Sequence, residues 1–259
     1  DPGDGGSAIG AALYLTATNL SHIHRQQPIS AYLGKSYDES PVVHSLKKLD
    51  SGILRKFTKS DNFRNIQVER IQNESDLLQY VSSSLRSGKI VAWLQGRFEN
   101  GPRALGNRSI LCNPARTDVA MRLSQKVKLR APFRPYAFSV AADEATNLLN
   151  ANDPPPSATK WMQVSAAIPV QHHKNVAAAL HIDGTSRPQV CSREDNPRFF
   201  GLLKTFGATS GVPAILNTSF NESGSPLVSS PAEALMMFLR TDIDILVLND
   251  TAIERRVDA

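Results

Sequence analysis

"KIVAWLQGRFENGPRALGNRSIL", residues 89–111, begins as a strand and then stops behaving like one. Ile90 to Leu94 is a short apolar run suited to a buried strand. From Gly96 onward, three glycines and Pro102 break the pattern, while Arg97, Arg103 and Arg108 accumulate against a single acid, Glu99. Arginine offers a planar fork of donors that matches phosphate or carboxylate oxygens two at a time. Glycine lets the backbone approach a ligand closely, Pro102 stiffens the turn, and Asn107 and Ser109 add neutral hydrogen-bonding groups. Surface ion pairing is the plain alternative, but Glu99 can neutralise only one of the three cations. The segment therefore reads as an anion-binding loop at the carboxyl end of a strand, a common arrangement in α/β folds.

The surroundings support an α/β chain. Just upstream, "NESDLLQYVSSSLRSGK" places Leu77, Val81 and Leu85 on one helical face, with Asn73 or Ser75 as N-cap and Gly88 at the C-terminal stop. Downstream, "DNPRFFGLLKTFGATSG" predicts a helix capped by Asn196 with Pro197 in its first turn. "VPAILNTSFN" reads as a strand entering a polar loop, "SSPAEALMMFLRT" as a helix with Ser230 and Glu233 at capping-box spacing, and "DIDILVLND" as a closing buried strand. At the amino end, "DPGDGGSAIGAALYLTATNL" predicts a glycine-rich turn and a small-residue helix over about 7–18. Residues 21–57 read as a polar connection with short elements, and the Pro154–Pro156 run as a surface loop.

Three further stretches carry candidate chemistry. "KVKLRAPFRPYAFSV" supplies Lys126, Lys128, Arg130 and Arg134 in a proline-shaped loop whose few aromatics argue against stacking on RNA bases. "HIDGTSRPQV" supplies His181, Asp183, Thr185 and Arg187, either as ligand groups or as an ordinary turn with Arg187 on the surface. "NTSFNESG" supplies Asn217, Thr218, Ser219 and Asn221, either for a nucleotide or as a polar turn. The histidine pairs at 22/24 and 172/173 lack carboxylates at metal-ligand spacing and read as surface residues. There is no Walker A sequence and no GxSxG elbow.

The 259 residues are 41% hydrophobic and 20% charged, enough for a large core, and a net charge of +5 suits an anionic ligand better than DNA wrapping. Cys112 and Cys191 form no CxxC pair, so a cytoplasmic setting without disulfides is expected. No secretory signal and no membrane-spanning apolar run are evident, so no membrane partner is expected. The start on "DPGDGG", without methionine, reads as internal to a longer or processed protein.

Taken together, "QGRFENGPRALGNRSIL", "FRPYAFSV", "HIDGTSRPQ", "GVPAILNTSFN" and "PAEALMMFLRTDIDILVL" resemble the carbamoyltransferases of the nodulation and antibiotic-tailoring type, across most of residues 85–250. The resemblance implies a YrdC/Sua5-like twisted mixed sheet with flanking helices over residues 61–259. It implies that residues 1–60 are the tail of an actin/Hsp70-like (Kae1-like) domain plus a linker. It further implies that carbamoyl phosphate and ATP, with Mg2+, form a carbamoyl-adenylate, which an upstream Kae1-like region passes to a hydroxyl-bearing small-molecule acceptor.

Carried over by position, Arg103, Lys128 and Arg134 would be catalytic, with Arg108 beside them on the phosphates. Arg187, Asn217 and Ser219 would complete the nucleotide site, and Arg97, Asn107, Ser109, Arg130, His181, Thr218 and Asn221 complete the candidate set. Asp4 would be an iron ligand of the complete Kae1-like domain only. Ala131 stands where the family has an acid, and Ser225 gives "GSP" where "GEP" is usual. The competing readings are a threonylcarbamoyl-adenylate synthase of tRNA modification and a non-catalytic RNA-binding module; nucleic acid is not the expected partner.

Overall fold

Alternating apolar runs and capped amphipathic helices assemble, in the computed structural model, into an eight-stranded mixed sheet covered by helices. The structure describes residues 4–19, 30–50, 66–131, 133–149 and 157–255. The strands are β1 (Ile66–Arg70), β2 (Val91–Leu94), β3 (Arg108–Cys112), β4 (Ala137–Ala141), β5 (Ala166–Ala167), β6 (Thr185–Ser186), β7 (Gln189–Cys191), β8 (Ala214–Ser219), β9 (Ile245–Leu248) and β10 (Thr251–Arg255). The large sheet runs β1-β10-β9-β2-β3-β8-β4-β7, and β5 and β6 pair separately. Among the described strands, only the β2–β9 and β4–β7 pairs are parallel. The mixed sheet with flanking helices is the architecture expected from the sequence.

The helices are α1 (Ser7–Asn19), α2 (Glu39–Asp50), α3 (Glu74–Arg86), α4 (Thr117–Arg122), α5 (Ala142–Leu149), α6 (Pro197–Ser210) and α7 (Pro231–Arg240). Asn73 caps α3 by accepting from Ser75 N and Asp76 N, and Gly88 follows with φ of 87°. Asn196 caps α6 by accepting from Phe199 N. Ser230 caps α7, while the Glu233 carboxylate turns back to Ser229 N at 2.8 Å, one residue before the cap. Leu77, Val81, Leu85, Phe199, Phe206 and Phe238 are fully buried against Trp93, Ile110, Phe138 and Leu246 of the sheet.

Two elements differ from expectation. Residues 39–50, read as part of a polar connection, form the twelve-residue α2, whose Val42 is buried in the main core. The chain before it is bound to the arginine loop: Gly34 N donates to Phe98 O, Phe98 N to Lys35 O, and Asn100 N to Ala31 O. Residues 31–46, within the stretch 1–60 read as domain tail and linker, pack on the larger unit. By contrast, no residue of α1 is buried, and Leu13, Tyr14 and Leu15 are exposed. The Pro154–Pro156 run and the His22/His24 pair lie outside the described residues.

Candidate anion-binding site

The sheet brings the cationic loops together by converging their ends. The loop between β2 and β3 carries Arg103, the loop before β4 carries Arg130 and Arg134, the β6–β7 link carries Arg187, and β8 delivers Asn217, Thr218 and Ser219. All of these, with His181, line one cavity of about 460 Å³. No aspartate or glutamate lies among its described lining residues. Arg130 stacks on the Tyr136 ring at 3.9 Å and donates to Arg134 O at 3.1 Å. The Nε atoms of Arg103, Arg130 and Arg187 are each buried without a hydrogen-bond partner among the described residues. Burial lowers the Arg187 pKa, helped by the neighbouring charges of Arg103 and Arg130. Guanidinium groups keep their charge even so, and cations that repel one another in a half-buried wall leave a positive potential that an anion would neutralise.

His181 has a defined role in the wall. Thr185 gives its hydroxyl proton to Asp183 Oδ1 at 2.7 Å, so its oxygen must accept from His181 Nδ1 at 3.0 Å. That fixes a proton on Nδ1. The same bonds from Thr185 hold the Asp183 carboxyl below the usual carboxylate range.

Several expected ligand residues sit elsewhere. Arg108 starts β3 and is fully buried; it donates from Nη1 to Gln95 O at 2.5 Å and Asn107 O at 3.0 Å, and from Nη2 to Lys35 O and Gly96 O at 3.3 Å. Its guanidinium is committed to main-chain carbonyls, so the expectation that it holds a phosphate is corrected. Arg97 likewise binds Gly34 O and Leu33 O, fastening the incoming linker. Asn107 joins Arg97 O to the Asn196 amide, and Ser109 Oγ accepts from Gly106 N. These four residues build the loop and do not line the cavity.

Lys128 and Asn221 lie behind the wall. The Lys128 ammonium, almost wholly buried, donates to Ser219 O at 2.8 Å, Asn221 O at 2.8 Å and Asn221 Oδ1 at 2.6 Å. Burial, followed by the charges of Arg130 and Arg134, lowers its pKa to about 7. Lys128 thus supports Ser219 from beneath instead of lining the cavity.

Sequence reasoning missed Glu99 as the organiser of the loop. Its Oε1 accepts from Leu105 N at 3.0 Å, Asn107 N at 2.7 Å and Arg108 N at 2.8 Å. The signal available was its isolation: a lone acid among arginines and glycines has backbone donors within reach. Gly106, at φ of 105°, presses against the Phe199 ring, where a Cβ would lie 2.2 Å from Cδ1. That close approach docks the loop on the start of α6.

The described residues gather no cluster of metal ligands: no three His, Cys, Asp or Glu side chains among them meet at one point. Asp4, the expected iron ligand, is described only through its backbone, which begins a 3-10 turn. The described lining residues include no carboxylate.

A family model described as Carbamoyltransferase C-terminus matches residues 82–255. This chain belongs to the carbamoyltransferase family. Nodulation protein NolNO of Sinorhizobium fredii is 32% identical over 255 residues, which is 98% of this chain and 35% of that protein. Nodulation protein NolO of Bradyrhizobium diazoefficiens is 31% identical over 256 residues, 98% of this chain and 43% of that protein. The 3'-hydroxymethylcephem-O-carbamoyltransferase of Streptomyces clavuligerus is 31% identical over 171 residues, covering 66% of this chain and 32% of that enzyme. The chain therefore spans less than half the length of these relatives. Among solved structures, P. abyssi Sua5 complexed with L-threonine gives a TM-score of 0.48 at 16% identity, over 73% of this chain and 50% of that one. No helix among the described residues of this carbamoyltransferase domain is long and apolar enough to cross a membrane.

Proposed function

We infer that this carbamoyltransferase chain binds carbamoyl phosphate and ATP in the arginine-lined cavity and forms carbamoyl-adenylate there, in the cytoplasm. The observation that carries the reading is the convergence of Arg103, Arg130 and Arg187 on a cavity wall whose described residues include no carboxylate. Water releases phosphate from carbamoyl phosphate to leave carbamate. A carbamate oxygen then attacks the α-phosphorus of ATP, the bond to the β-phosphate breaks, and pyrophosphate departs. Both reactants are anionic, so fixed cations are needed to hold them at attacking distance against their repulsion. The adenylate then passes to a hydroxyl acceptor bound by the rest of the full-length protein, with AMP as the leaving group.

The test is to incubate the chain with ATP and carbamoyl phosphate and to follow pyrophosphate and carbamoyl-adenylate. The expected result is formation of both, and their loss in Arg103→Ala with the fold retained. Product with threonine and bicarbonate but none with carbamoyl phosphate would replace this reading by threonylcarbamoyl-adenylate synthesis. Inactivity with both, together with salt-sensitive RNA binding, would favour an RNA-binding role.

A further inference from the structure

The cavity floor holds one group that does not suit a phosphate. Asn217 is 2% exposed, belongs to β8 and lines the cavity, yet its Oδ1 is buried without a partner among the described residues. The neighbouring network fixes which end of the amide is which. Ser139 gives its only proton to Gln189 Oε1 at 2.6 Å, so its oxygen can only accept. Gln189 donates from Nε2 to Leu105 O at 2.8 Å, so Oε1 is its acceptor end. Asn217 Nδ2 therefore faces three acceptors: Ser139 Oγ at 2.9 Å, Ala104 O at 3.2 Å and Gln189 Oε1 at 3.2 Å. A flipped amide would set its oxygen against Ala104 O and Gln189 Oε1, with no proton between them. The carbonyl oxygen is the end of the side chain to which no neighbouring group donates.

A buried acceptor left unpaired is costly, and a bound ligand, ion or water is what ordinarily supplies its missing donor. Phosphate oxygens are acceptors and would be repelled here. We propose that Asn217 Oδ1 accepts a hydrogen bond from the amino group of the carbamoyl moiety, making Asn217 the residue that distinguishes a carbamoyl phosphate from other acyl phosphates. This rests on the carbamoyl phosphate reading above. In that arrangement Arg103, Arg130 and Arg187 take the phosphate end, while Asn217 reads the NH2 end. Ser139 and Gln189 act as positioning residues that stop the amide from turning over. An acyl phosphate with a methyl group in place of NH2 leaves Oδ1 unpaired and is rejected.

The experiment measures binding of carbamoyl phosphate, acetyl phosphate and pyrophosphate to the whole chain by calorimetry. It uses the wild type, the near-isosteric Asn217→Leu, and Ser139→Ala, which removes the acceptor that holds the amide. The wild type is expected to favour carbamoyl over acetyl phosphate by about tenfold to a hundredfold, the effect of an unpaired buried acceptor. Asn217→Leu should bring that ratio near one while still binding pyrophosphate, which reports an intact fold and cation wall. Ser139→Ala should lower the ratio part of the way.

If the wild type binds all three phosphates without preferring the carbamoyl compound, the assignment to Asn217 is overturned and the phosphate site stands. If it binds none of them, the functional reading itself fails and takes this inference with it. A ratio unchanged in Asn217→Leu would place the discriminating group elsewhere. A variant that instead loses the distinction between ATP and its deoxyribose forms would assign Oδ1 to a ribose hydroxyl and overturn the carbamoyl assignment.

Discussion

Glu99 Oε1 accepts the backbone N–H of Asn107 at 2.7 Å, so the loop's lone acid lies inside the arginine turn as its hub. The bonds from Leu105 N and Arg108 N meet at the same oxygen. Glu99→Ala would leave three buried N–H groups without an acceptor. The expected loss is about 3 kcal/mol or more of stability, since each buried donor left without an acceptor costs roughly 1–3 kcal/mol. Chemical denaturation measures the loss, and phosphate titration should show weaker binding because Arg103 loses its support.

Arg187→Ala should separate binding from stability. The side chain is held among like charges, and burial with Arg103 and Arg130 disfavours its charged form. Removing it relieves repulsion, so the melting temperature should hold or rise. Affinity for pyrophosphate should fall about tenfold to a hundredfold, the size of one lost charge-assisted contact. A lower melting temperature would instead mean that the arginine supports the fold.

Lys128 gives the chain a pH dependence with a defined sign. Its folded pKa of about 7 lies below that of an ordinary lysine, near 10.4. Between those values the unfolded chain holds the extra proton, so stability should rise as pH increases from about 7 to about 10. Lys128→Met should remove that rise, as urea denaturation at two pH values would show. Binding of a polyanion beside Ser219 should also draw a proton onto Lys128, seen as buffer-dependent heat in calorimetry and absent in the variant.

Gly106→Ala should be among the most damaging single-methyl changes. The new Cβ would lie 2.2 Å from Phe199 Cδ1, at a φ of 105° that side-chain-bearing residues rarely adopt. A cost of about 3 kcal/mol is expected from overpacking and backbone strain together. Thermal melting measures the total. Combining the change with Phe199→Leu should recover part of it if the clash is the main cause.

Local chemistry was readable in the sequence where a residue's partners lie close along the chain. Asn73, Asn196 and Ser230 cap their helices because their acceptors and donors are two or three residues apart. Arg103, Arg130, Arg187 and Asn217 were named as ligand groups, and the fold sets them around one cavity. Arg108 could not be told from Arg103 by spacing, because its carbonyl partners come from Gln95 and from Lys35, seventy-three residues away. Burial of a cation is decided by tertiary contacts that periodicity does not encode. The β9–β10 hairpin was missed despite a usable signal: Asn249-Asp250 between two apolar runs, with Asn249 at φ of 51° and Leu248 paired to Thr251.

The cavity wall is drawn from residues as far apart as Arg103 and Ser219, carried by separate strands and loops. No short piece of the chain contains it, and closing loops of that length is among the slower steps of folding. A polyanion that bridges these segments therefore recognises only the finished sheet. Its effect should appear as protection of the slowest-exchanging amides of β3, β4 and β8, those that open only in global unfolding, by an amount that grows with ligand concentration.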